Sequence, residues 1–124
     1  MKTIKVSMIV FVVATIVTWN VSAASSTKEV VKAKEYTIVV ASEGDRKSII
    51  TEGRSGYHCN TLYPWKAIIR AESTEFTMGK KEASVFEEKR VVFILGDKRV
   101  KEVTLKLSVC NDKQCIMKTE KVKI

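Results

Sequence analysis

Three cysteines are the residues of this 124-residue chain best suited to chemistry. Cys110 and Cys115 flank the tetrapeptide Asn111-Asp112-Lys113-Gln114, and Cys59 follows the one histidine, His58. Two sulfurs this close can exchange a disulfide with another protein when one is a thiolate able to attack and the second can release the mixed disulfide. The spacing meets the second requirement, and Lys106 and Lys113 would favour a thiolate. The same pair can equally serve as a passive staple of a hairpin.

An odd count allows one intramolecular bridge at most and leaves one thiol over. His58, Cys59, Cys110, Cys115 and Met117 formally make a soft ligand set for a monovalent copper. Adjacent residues of a strand point to opposite faces, however, so His58 and Cys59 do not readily share an ion. No metal and no cofactor is expected. His58 reads as a loop or surface residue, and Cys59 as a buried or idle thiol. One histidine supports no Ser-His-Asp set, and no paired carboxylates stand out. Gly53-Arg54-Ser55-Gly56 has neither the length nor the Lys-Ser/Thr ending of a phosphate loop.

Whether a bridge can exist depends on the compartment. Lys2 and Lys5 precede an apolar run from Val6 to Val17, and Val21-Ser22-Ala23 supplies small residues of the kind a signal peptidase reads. The run falls short of the ~20 residues that a spanning helix needs. Residues 1–23 are therefore expected to be a cleaved signal peptide, with no stable membrane insertion afterwards and a periplasmic or secreted destination that permits disulfides. Without Lys2 and Lys5, 20 basic side chains face 14 acidic ones, a charge of +6. The two signs are interleaved, as in Lys80-Lys81-Glu82 and Glu87-Glu88-Lys89-Arg90, so no nucleic-acid stripe is present.

The elements that must position the cysteines follow a period of two. Residues 24–33 are small and polar and read as a flexible leader, with one domain over 34–124. Tyr36, Ile38 and Val40 share one face; so do Trp65, Ala67, Ile69 and Ala71. Arg90 to Leu95 is a continuous apolar run, as expected for a strand buried on both faces. Glu82 to Arg90 offers the only rival helical pattern. The aromatics Tyr57, Tyr63, Trp65, Phe76 and Phe93 are needed for the core of so small a domain and are not read as a ligand groove. About six to eight short strands with little helical signal predict an all-β, antiparallel β-sandwich, expected as a monomer.

Val103, Leu105, Leu107 and Val109 take the core face of the last hairpin, and Lys106, Ser108 and Cys110 the other. If Val109 registers against Ile116, Cys110 faces Cys115 within disulfide reach, although pairing of either with Cys59 stays open. Cys110 is then expected near solvent. Closing six residues restricts the unfolded chain by only roughly 2 kcal/mol, against about 4 for a loop of fifty. Short, exposed disulfides tend to be the reactive ones.

Val103 to Cys110, followed by Asn111 to Gln114, Cys115 and a returning strand, resembles the redox hairpin of the N-terminal periplasmic domain of the DsbD thiol:disulfide interchange proteins. Gly56-Tyr57-His58 and Tyr63-Pro64-Trp65-Lys66 add to the likeness, which spans residues 34–124. That family has five residues between its cysteines, and this chain has four. The resemblance implies an immunoglobulin-like sandwich in which Cys110 and Cys115 are the active pair. By the same match, Cys115 makes the mixed disulfide and Cys110 resolves it. It also implies a periplasmic, thioredoxin-like redox protein as partner. The alternative is a non-enzymatic exported β-sandwich, a binding or scaffold protein whose Cys110–Cys115 bridge is structural only.

Overall fold

The computed structural model describes residues 25–96 and 99–124. The expected signal peptide lies outside the described residues. Among the described residues, ten strands run in chain order: β1 (Ser25–Lys32), β2 (Tyr36–Glu43), β3 (Arg46–Gly53), β4 (His58–Cys59), β5 (Lys66–Ala71), β6 (Glu75–Gly79), β7 (Val85–Phe86), β8 (Arg90–Gly96), β9 (Val100–Cys110) and β10 (Cys115–Lys123). A single 3₁₀ turn, Lys80–Glu82, takes the place of the rival helix, and the rest of that segment becomes β7 and its turn.

The strands form two antiparallel sheets. One has the order β1-β2-β3-β8-β7; the other has β10-β9-β5-β6, with β4 also paired to β9. Leaving aside β1 and β4, the first sheet pairs as A-B-E-D and the second as G-F-C plus one flanking strand, which is the immunoglobulin-like arrangement. The all-β sandwich expected from the alternation is therefore present. It has more strands than expected, because β4 and β7 are only two residues long and β1 lies where a leader was expected.

Residues 25–32 depart from their reading as a flexible leader. They pair along β2 from Ser25↔Glu43 to Lys32↔Thr37, with a bulge between Glu29 and Val31, and Val30 and Val31 pack on the core. Edge strands are commonly polar on their exposed positions, so composition alone hid this one.

The core lies between the sheets. Tyr36 and Ile38 of β2, Ile49 of β3, and Val91 and Phe93 of β8 meet Ala67 and Ile69 of β5 and Val103, Leu105, Leu107 and Val109 of β9, all essentially inaccessible. Tyr36, Ile38, Ala67, Ile69, Val103, Leu105, Leu107 and Val109 are positions the period of two selected. The run from Arg90 to Leu95 is buried on one face only, since Val92 and Ile94 are half-exposed on the other. Trp65, at the entry to β5, seals one end of the core. Its ring packs edge-on against Phe86 at 6.2 Å and its Nε1 donates to the Asn60 carbonyl at 2.8 Å.

Candidate functional site

The last hairpin forms in the expected register, with Val109 opposite Ile116 and Cys110 opposite Cys115. Asn111 organises its loop. The Asn111 backbone N–H donates to the Gln114 carbonyl at 2.8 Å, while its Oδ1 accepts from the backbone N–H groups of Lys113 and Gln114 at 2.9 and 2.8 Å. An Asx turn of this kind closes a short loop without help from the rest of the fold. The Cα atoms of Cys110 and Cys115 are 4.0 Å apart and their sulfurs are bonded. Such a close approach is the geometry of a non-hydrogen-bonded pair.

The two sulfurs have different surroundings. Cys115 starts β10, the outermost strand of its sheet, and is exposed. Cys110 is only 7% exposed, contrary to the expectation that it sits near solvent. Cys110 does lie on the outer face, as strand parity requires, but that face is not bare here. In fact β4 and β5 lie end to end along β9, so the Cys110 end of β9 is flanked on both sides: by β4, with His58 opposite Cys110 and Cys59 opposite Val109, and by β10. The chain between β4 and β5 adds cover. The Asn60 backbone N–H donates to the Ser108 carbonyl at 2.9 Å and its Nδ2 to Ser108 Oγ at 3.2 Å, which leaves Ser108 wholly buried.

His58 is thus a strand residue in the row His58–Cys110–Cys115 and not a loop position. Opposed residues of antiparallel strands share a face. A turn fixes its place. Tyr57 N–H donates to the Arg54 carbonyl at 2.9 Å, and the two residues between, Ser55 and Gly56, both have positive φ, 54° and 85°, as in a type I′ turn. Arg54 ties this turn to the start of β2 through its N–H to the Glu35 carbonyl at 2.9 Å and its guanidinium to the Ala33 carbonyl at 2.8 Å. Gly53 admits the close approach, since a Cβ there would sit 2.1 Å from the Tyr57 carbonyl oxygen. Beyond His58, the Cys59 N–H donates to the Glu88 carbonyl at 2.8 Å.

Tyr57 reaches the hairpin itself, where its hydroxyl accepts from Gln114 Nε2 at 3.0 Å. A cleft of about 350 Å³ opens beside it, lined by Glu52, Gly53, Tyr57, His58, Glu88 and Lys89. Among the described residues, the His58 imidazole has no hydrogen bond or ion pair. No sequence signal within the segment 54–59 announced this neighbourhood, because it depends on pairing between positions about fifty residues apart.

Cys59 faces the other way and is a free, buried thiol. Its Sγ lies 3.7 Å from the Thr51 carbonyl. Burial, with a smaller contribution from the Glu52 carboxylate, pushes its thiol up to about 11. The pairing of Cys59 with Cys110 or Cys115, open from the sequence, is not made. Compared with known proteins, the chain matches no family model, no curated protein and no solved structure.

Proposed function

We propose that the protein exchanges thiols and disulfides with another protein through Cys110 and Cys115. The observation that carries the reading is the asymmetry of the bridge. Cys115 is exposed on an edge strand, where a partner thiolate can reach it, while Cys110 is shielded between two strands beside it. That division is what the reaction needs, one sulfur to make the mixed disulfide and a protected neighbour to resolve it. The roles match those implied by the resemblance to the DsbD N-terminal domain. Met117, on the same face two residues along β10 and 67% exposed, offers an apolar contact to a partner docked over Cys115. A periplasmic or secreted location would supply both partner and redox conditions.

The second reading is an exported sandwich that binds or scaffolds, with a structural bridge. Redox titration separates the two. A midpoint near the potentials of exchange proteins supports the first, and a bridge reduced only well below about −300 mV supports the second.

A further inference from the structure

Resting on the thiol-exchange reading, we infer that His58 is the proton partner of Cys110, protonating the thiolate released when the bridge opens and taking that proton back when the bridge reforms.

Three observations converge on His58. First, β4 and β9 set it opposite Cys110, with Cys115 in the same row on the far side. Facing residues of an antiparallel pair have Cβ atoms about 4.5–5.5 Å apart. Second, Cys110 is 7% exposed, so bulk water is a poor proton source for its sulfur. Third, the imidazole is half-buried, has no partner among the described residues, and lines the cleft of about 350 Å³, which links it to solvent. An imidazole is the side chain whose ordinary charge change falls between about pH 5 and 8.

The charged and titratable groups around His58 come from several elements. Glu52 of β3 and Glu88 and Lys89 of the turn before β8 share its cleft, and Glu52 is engaged by Arg90 at 3.6 Å. Tyr57 precedes it and is occupied with Gln114. Asp112 and Lys113 stand exposed at the tip of the hairpin. None of these lies in the row with Cys110.

The reaction balances as follows for a protein dithiol as reductant. One partner thiol loses its proton to solvent and attacks Cys115 Sγ. A partner–Cys115 bond forms, the Cys110–Cys115 bond breaks, and the electron pair stays on Cys110 Sγ. The His58 imidazolium gives that sulfur a proton and is reprotonated from water through the cleft. The partner's second thiol, deprotonated to solvent, attacks the partner sulfur of the mixed disulfide and expels the Cys115 thiolate, which takes a proton from water. Two electrons have passed to the bridge and the partner holds a disulfide. Run backwards, His58 deprotonates Cys110 for its attack on the mixed disulfide.

The test uses the purified protein and dithiothreitol as probe, following bridge opening from pH 5.5 to 8.5, with each rate divided by the reductant thiolate present. In the native protein the corrected rate should rise as pH falls through the imidazole range. His58→Gln and His58→Ala should flatten that rise and slow opening at the acid end by about a hundredfold, the low end of general-acid effects, and added imidazole should restore part of the rate to His58→Ala. Profiles in both variants that superpose on the native one overturn the assignment. A bridge that dithiothreitol opens at no pH overturns the exchange reading itself, so the two failures are distinct. A separate measurement needs no bridge: in Cys115→Ala, adding His58→Gln should slow iodoacetamide modification of Cys110 at pH 7 about tenfold, and an unchanged rate counts against His58.

Discussion

Cys110 and Cys115 stand opposite each other at a Cα separation of 4.0 Å, yet one is 7% exposed and the other lies open on an edge strand. A bridge built this way has two chemically different ends. Attack from solution is directed to Cys115, because an incoming thiolate must reach the sulfur it attacks and Cys115 is the exposed residue of the two. Cys110 then leaves into a setting made by β4 and β10.

In the reduced protein, modification by iodoacetamide should therefore follow the order Cys115, then Cys110, then Cys59. Peptide mass spectrometry should find Cys115 modified at least about tenfold faster than Cys110, since reactivity follows exposure and thiolate character. Cys59 should react only after the protein unfolds. Equal rates at Cys110 and Cys115 would remove the asymmetry on which the exchange reading stands.

The Cys110→Ala variant should accumulate a mixed disulfide through Cys115 with an added protein disulfide, and Cys115→Ala should trap much less through the shielded Cys110. Non-reducing electrophoresis reads both. Trapping in the opposite order would reverse the roles of the two sulfurs.

Removing the bridge with Cys110→Ala/Cys115→Ala should lower stability by roughly 2 kcal/mol, the loop-closure value for so short a ring. Urea unfolding should show an earlier midpoint with little change in slope. The Asx turn of Asn111 and the β9–β10 pairing remain in this variant and hold the hairpin register. A loss of 4 kcal/mol or more would mark the bridge as a staple.

Much of this site is local and was legible as such. The alternation of Val103, Leu105, Leu107 and Val109 sets one face of β9, and a polar tetrapeptide after it sets the register that brings Cys110 against Cys115. Parity cannot report what covers the second face, however. Cys110 is buried because His58 and Asn60, from a segment about fifty residues earlier, lie along the same strand. The Ser25–Lys32 strand was missed for a related reason: an edge strand needs few apolar residues, and it contributes Val30 and Val31 to the core through a bulge. Trp65, Ala67 and Ile69 were legible as core because their strand alternates without interruption.

Gly53 is the residue on which the placement of His58 depends. In Gly53→Ala the new Cβ would lie 2.1 Å from the Tyr57 carbonyl oxygen, a backbone atom that cannot move without shifting the turn that leads into β4. A loss of about 2–4 kcal/mol in urea unfolding is expected, in line with other forced backbone displacements. Bridge opening at the acid end should slow in the same way as is expected of the His58 variants. A Gly53→Ala protein with native stability would show that the turn adapts freely.

The buried Cys59 thiol makes the fold less stable in alkali. Its proton is held to about pH 11 in the folded protein, against an ordinary value of 9.0. Below pH 9 both folded and unfolded chains keep the proton, so the stabilisation is fully present. Between about pH 9 and 11 the unfolded chain loses it first, and stability falls with rising pH by up to about 3 kcal/mol, at 1.36 kcal/mol for each pKa unit. Tyr36 acts in the same direction from its ordinary value of 10.0 upward, because burial and its hydrogen bond to the Glu120 carboxylate push its phenol up. Urea unfolding at several pH values should therefore show a decline that begins near pH 9. In Cys59→Ala the onset should move to about pH 10, where Tyr36 alone remains. The comparison is best made in the Cys110→Ala/Cys115→Ala background, since a Cys59 thiolate freed by unfolding would otherwise attack the bridge. An onset unchanged by Cys59→Ala would mean that the thiol is solvated in the folded protein and that its burial between β3 and β9 is wrong.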